Sequence, residues 1–193
     1  MSAPAPLAYK FLRPGAVGPF SGFRWPCPAH GEPGEWVEAA GGSGLCEAGV
    51  HACERRHLPL WIWEELWEVE LEGPLERGIA KLCARRGRLL RRVERWSPRS
   101  AKDLAVACAR RAAEHAATAT GADAEVVAGM AADGDARARA AEASADLYVA
   151  AHGAAVSAYI AAMTALRAGG GDALSAERAW QAEWLARELE LGV

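Results

Sequence analysis

Apolar and polar positions alternate most clearly in residues 67–72, where Trp67, Val69 and Leu71 stand against Glu68, Glu70 and Glu72 before Gly73-Pro74 ends the run. Period-two alternation of this kind predicts a half-buried strand with one dry and one acidic side. Residues 49–53 read Gly-Val-His-Ala-Cys, an uncharged run around a β-branched Val, and predict a short strand. On that strand Val50 and Ala52 share one face, and His51 and Cys53 the other. Between the two, residues 57–65 carry Pro59 early, where a first helical turn tolerates the missing N–H, so a helical turn is expected. Further strands are expected at 8–12, with Tyr9 and Phe11 on one face, at 35–38, at 78–84 and at 87–96. Short connections predict an antiparallel meander, because parallel neighbours need a crossover of about a dozen residues or more.

The pattern changes at Ser97-Pro98. Beyond it β-branched runs vanish and Ala dominates, which favours helix. Ser97 can cap a helix with Pro98 at its first position, running to about Thr120 before Gly121. A second helix is expected over 123–132, closed by Gly134. Asp135 then caps a long one to about Leu166, with Gly153 as a weak point inside it. Gly169-Gly170-Gly171 breaks the chain, and a last helix follows from Asp172, on which Ala176, Trp180 and Trp184 recur at i, i+4 as an apolar stripe. The expected fold class is therefore α+β: an N-terminal antiparallel β-rich domain over 1–96 and a C-terminal Ala-rich helical bundle over 97–193.

Small helical side chains bury little area, so Trp180 and Trp184 are expected to anchor the bundle, and docking on the sheet or self-association is expected to complete it. Residues 1–7 read as a Pro/Ala leader and 39–44 as a flexible connector. Residues 15–33 read as an irregular loop anchored by Phe20, Phe23 and Trp25.

Composition narrows the classes of function. A net charge of -3 and a pI near 6.0 give no reason to expect a nucleic-acid partner. The basic group Arg85, Arg86, Arg88, Arg91, Arg92 and Arg95 is expected to pair across strands with Glu68, Glu70 and Glu72. Five cysteines are an odd number, and no basic and apolar leader precedes the first strand, so free thiols in a reducing cytoplasm are expected. Charges spread through the Ala-rich half, and no membrane span is expected there.

Cys27, His30, Cys46, His51, Cys53 and His57 fall close together and supply enough sulfur and nitrogen donors for a tetrahedral zinc. The plainer reading of Cys53 is a small buried hydrophobe. Cys53 beside His51 also forms a candidate nucleophile and base, although strand geometry leaves their approach to rotamers. Trp61, Trp63 and Trp67 are candidates for a ligand pocket or for core. No phosphate-binding glycine loop, dinucleotide fingerprint or His-Glu-x-x-His motif occurs.

The order Tyr9-Lys10, Gly22-Phe23, Trp36, Cys46, Gly49-Val50-His51-Ala52-Cys53 and Glu68-Val69-Glu70-Leu71-Glu72-Gly73 resembles uncharacterised bacterial and phage proteins with a Gly-Phe/Val-His-Ala-Cys core followed by a Val-Glu strand. That resemblance implies a domain over 8–96 and no particular chemistry. The tail around Trp180 and Trp184 looks like those of small actinobacterial proteins. The succession of a Gly-x-His strand, a helical turn and a Val-Glu strand is similar to the split sheet of ADP-ribosyltransferases. That likeness implies NAD as substrate, with Tyr9, Arg13, His51 and Glu70 as candidates. The leading expectation is a non-catalytic binding or assembly module with a protein partner or a second copy of itself. The NAD enzyme and a zinc-stabilised domain are the alternatives.

Overall fold

The computed structural model describes residues 7–39, 49–121 and 123–192. The leader through residue 6, the connector from residue 40 onward and the candidate ligand Cys46 lie outside them. The chain divides into two compact units, Met1–Glu94 and Arg95–Val193, and the fold is α+β, with antiparallel sheets in the first and helices in the second.

The first unit carries β1 (Ala8–Leu12), β2 (Val37–Glu38), β3 (Val50–Ala52), β4 (Glu65–Glu72), β5 (Glu76–Arg77), β6 (Leu82–Ala84) and β7 (Arg86–Arg92), with a 3-10 turn over Arg55–Leu60. The strands are antiparallel, as their short connections require, but they do not form a meander. One sheet runs β1-β4-β7-β2 and the other β3-β6-β5. The two meet where Tyr9 and Cys53 exchange backbone N–H to O=C bonds, both 2.8 Å long.

Strand β4 keeps the expected alternation. Trp67, Val69 and Leu71 enter a core with Ala8, Leu12, Val50, Ala52 and Leu89. The other face carries a ladder of ion pairs to β7: Arg86 to Glu72 at 2.6 Å, Arg88 to Glu70 at 2.8 Å, and Arg91 to Glu68 at 2.7 Å. Opposite charges directly across a sheet favour each pairing and help to fix register. A bulge after Glu68 shifts that register, so Glu68 opposes Arg91 while Val69 opposes Leu89. At Gly87 a side chain would meet Val50 at 2.8 Å and the Glu70 carbonyl at 3.0 Å, and its absence lets the two sheets approach.

The second unit holds α1 (Pro98–Thr118), α2 (Asp123–Ala143) and α3 (Leu147–Glu188). Ser97 and Ser100 close a capping box at the start of α1, as the Ser-Pro pair predicts. Gly134 does not end α2, and Asp146, not Asp135, caps α3 through the Tyr148 N–H at 2.7 Å. The glycines inside these helices are crossing points. A Cβ on Gly134 would lie 3.2 Å from Ile160, and one on Gly153 would lie 2.7 Å from Ala141. Where two backbones come that close, the packing gained offsets the weak helix propensity of glycine.

Gly170, at φ 75 and ψ -163, breaks α3 as the glycine run predicts, and the chain doubles back so that Gln181 Nε2 reaches the Ala158 carbonyl at 2.9 Å. The second arm does not bury the Ala176-Trp180-Trp184 stripe. Its inner face is Glu177, Gln181, Trp184 and Leu185, while Trp180 stays half-exposed beneath Arg111. Glu177 is fully buried, accepting from Arg111 at 3.0 Å and from Gln181 at 3.0 Å and lying 2.9 Å from His115 Nε2. A buried carboxylate needs such partners.

Charges do not interrupt every part of the helical half. Residues 147–166 contain no Asp, Glu, Lys or Arg, and α3 is long and apolar enough to cross a membrane by length and composition alone. However, 61% of its most apolar window is buried against the rest of the structure, as a bundle's core helix is.

Replacing Gly153 by Ala should destabilise the protein by about 1–3 kcal/mol in urea unfolding followed by ellipticity, despite an intrinsic helix gain of about 1 kcal/mol. A more stable variant would mean that the crossing is loose.

Candidate functional site

Strand β1 supplies the site's central residue. Period two places Ala8, Lys10 and Leu12 on the face that builds the core, so a lysine stands where its neighbours are fully buried apolar residues. Its ammonium donates to the His51 carbonyl at 2.5 Å and lies 5.2 Å from the centroid of the Trp25 ring. Loss of hydration pulls the Lys10 pKa down to about 8, an effect that the neighbouring Cys53 partly opposes. Among the described residues no carboxylate forms an ion pair with it.

Lys10 lines a cavity of about 260 Å³ together with Tyr9, His51, Cys53, Lys81 and an aromatic group. That group is Phe20, whose ring stands edge-on to Trp61 at 6.4 Å and to Trp63 at 6.3 Å. Trp61 is fixed from behind by an Nε1–H bond to the Ala80 carbonyl at 2.8 Å. Among the described residues the wall therefore holds two lysines, a histidine and five aromatic residues, and no Asp or Glu.

The loop that carries Phe20 is held by Glu65. This buried carboxylate accepts the backbone N–H groups of Gly15 and Ala16, both at 3.0 Å, and the Trp67 indole at 3.1 Å, while Arg92 lies 3.4 Å away. Both turn residues are left-handed, Gly15 at φ 75 and Ala16 at φ 57. Successive N–H groups in such a turn converge on one anion, here the side chain of β4. Trp25 then returns its N–H to the Ala16 carbonyl at 2.9 Å and is buried. Of the three expected loop anchors only Trp25 serves. Phe20 is 79% exposed and Phe23 45%.

The sequence candidates separate. Tyr9 and His51 line the cavity, and burial, with Glu68 adding to it, raises the Tyr9 pKa. Glu70 and Arg13 are not among the lining residues, and Glu70 is held by Arg88. Burial pushes Cys53 up to about 12, so it is a neutral thiol at physiological pH and a poor nucleophile. Among the described residues no three His, Cys, Asp or Glu side chains converge to hold a metal, so Cys27, His30, His51, Cys53 and His57 do not form the expected zinc set. The cause is placement. Cys27 is exposed in the loop, Cys53 is buried beside Lys10, and His57 sits on the 3-10 turn with Nδ1 4.0 Å from Glu54. The free thiols among the described residues are Cys27, Cys53, Cys83 and Cys108.

Sequence reasoning passed over Lys10, whose signal was a cation at an apolar position of the strand Ala-Tyr-Lys-Phe-Leu. It took the three tryptophans together, whereas Trp61 and Trp63 line the cavity and Trp67 joins the core. Compared with protein-family models, with curated proteins and with solved structures, the chain matches none.

Because the Lys10 pKa falls from 10.5 to about 8 on folding, the unfolded chain binds the extra proton between those values. Stability should therefore rise with pH through that window. Lys10→Met removes this term, so its stability relative to the unaltered protein should fall by about 2–3 kcal/mol as pH climbs across the window. Denaturant titrations at both ends of the range measure the difference, and parallel pH profiles would contradict the placement of Lys10.

Proposed function

We propose that the β-rich unit is a non-catalytic binding module whose cavity receives a small planar organic anion, an aromatic ring bearing a carboxylate or phosphate. The observation that carries this reading is the Lys10 ammonium, set among core residues in a cavity whose lining, among the described residues, includes no carboxylate. A desolvated cation costs stability unless something compensates it. An anion entering from solvent supplies that compensation, and the edges and faces of Phe20, Trp61 and Trp63 receive a flat ring. Protein partners and a second copy of the chain remain part of the reading through the helical unit, taken up below.

Indole-3-carboxylate and adenosine monophosphate are suitable probes, because the tryptophans report binding by fluorescence. Saturable quenching is expected with at least one of them. Lys10→Met should weaken it tenfold or more, equivalent to about 1.4 kcal/mol, and Phe20→Ala by a smaller factor. Affinity should fall as pH rises through about 8, where Lys10 loses its proton. Absence of saturation at millimolar concentrations of both probes, or equal binding by Lys10→Met, would overturn the reading.

A second reading, an enzyme that uses NAD, draws support from Tyr9 and His51 lining the same cavity. It requires Glu70 to leave Arg88 and reach the substrate. Under it Glu70→Gln abolishes NAD consumption, and unchanged turnover removes it.

A further inference from the structure

A solvated helix face in a bundle ordinarily carries charge. The outer faces of α1 and α2 do so, with Arg99, Asp103 and Arg110 on the first and Glu125, Arg137 and Glu142 on the second, all exposed. The first arm of α3 differs. Its inner face is filled by Ala150, Gly153, Ala154, Ala158, Ala161 and Ala165. Its outer face is also uncharged, and Val149, His152, Val156, Tyr159, Met163 and Leu166 follow one another at alternating steps of three and four residues. None of these six is fully buried, and Tyr159 is 58% exposed, Leu166 38% and Val149 36%. Alternating steps of three and four are the seam of a coiled coil, the pattern that suits a partner helix more than a wetted surface.

The seam also specifies which partner. Set antiparallel against itself, it pairs Val149 with Leu166, His152 with Met163 and Val156 with Tyr159, so every seam residue meets another and the arrangement closes on a two-fold axis. In that register the flanking position before Val149 is Asp146, and it faces the flanking position after Leu166, which is Arg167. Opposite charges therefore meet at both ends of the pairing. A parallel pair would instead set each Asp146 beside its own copy and each Arg167 likewise. Arg167 reaches Asp123 of its own chain at 3.2 Å, but both are exposed, and such a pair contributes little in water.

We infer that the first arm of α3 is a self-docking surface, where a second copy of this chain packs antiparallel along the seam from Val149 to Leu166. This goes beyond the ligand reading of the β-rich unit and does not depend on it. Tyr148, stacked on His152 with centroids 5.9 Å apart, borders the seam and adds aromatic area.

The test uses the full chain. Light scattering after gel filtration at about 100 μM should give twice the 20.4 kDa of one chain. Tyr159→Glu should halve that mass with unchanged ellipticity, and Arg167→Asp should weaken dimerisation about threefold to tenfold. To fix direction, chains carrying Val156→Cys and chains carrying Tyr159→Cys, with Cys27 and Cys46 replaced by Ser, are mixed and oxidised. The antiparallel register joins one kind to the other. A monomer at this concentration and at fivefold above it, a dimer indifferent to Tyr159→Glu, or cross-links only between identical chains would each overturn the proposal.

Discussion

A single carboxylate, that of Glu65, governs the geometry of the β-rich unit. Buried at the start of β4, it would be costly without partners. It has the Gly15 and Ala16 N–H groups, the Trp67 indole and the nearby Arg92. Those contacts hold a turn whose second residue, Ala16, adopts a left-handed backbone that side chains disfavour. From that turn the chain runs to Phe20 at the cavity rim and back to Trp25 against the core. The position of the rim is thus set by this buried carboxylate of β4 and not by the aromatic contacts alone.

Charge is handled differently on the two faces of the same sheet. On the acidic face, Glu68, Glu70 and Glu72 meet arginines at the right cross-strand positions, with Glu68 buried against Arg91 and Glu72 exposed. Inside, Lys10 has a carbonyl and an aromatic ring for company. A local rule is broken there, with no carboxylate among the described residues paired to the lysine, and such breaks concentrate at functional sites. The helical unit shows the contrasting case: Glu177, more deeply buried, is surrounded by Arg111, His115 and Gln181 and is satisfied within the fold.

Much of the architecture was legible because it follows from periodicity. The strand at Ala8–Leu12, the two faces of β4, the Ser97 cap and the break at the glycine run all rest on local patterns that the structure keeps. Strand order was not legible, since short loops restrict orientation and leave neighbours free. Gly134 and Gly153 were misread because a lone glycine looks the same whether it ends a helix or admits another backbone, and only the position of Ile160 and Ala141 distinguishes the two. Tyr9 and His51, singled out in the chain as candidates for NAD chemistry, both line the cavity. Lys10 was not singled out, because its meaning lies in which sheet face it occupies. The described members of the candidate zinc set stand apart for a related reason: nearness along a chain does not bring side chains together when a turn, a strand and a loop hold them.

The two hydrogen bonds that tie the sheets together at Tyr9 and Cys53 run between main-chain atoms. Peptide groups look alike at every position, so those two bonds do not depend on which side chains stand at positions 9 and 53. Frame and lining can consequently drift apart in evolution: descendants of this chain are free to rewrite the residues that face the hollow, and with them the molecules it prefers, while inheriting the same joint.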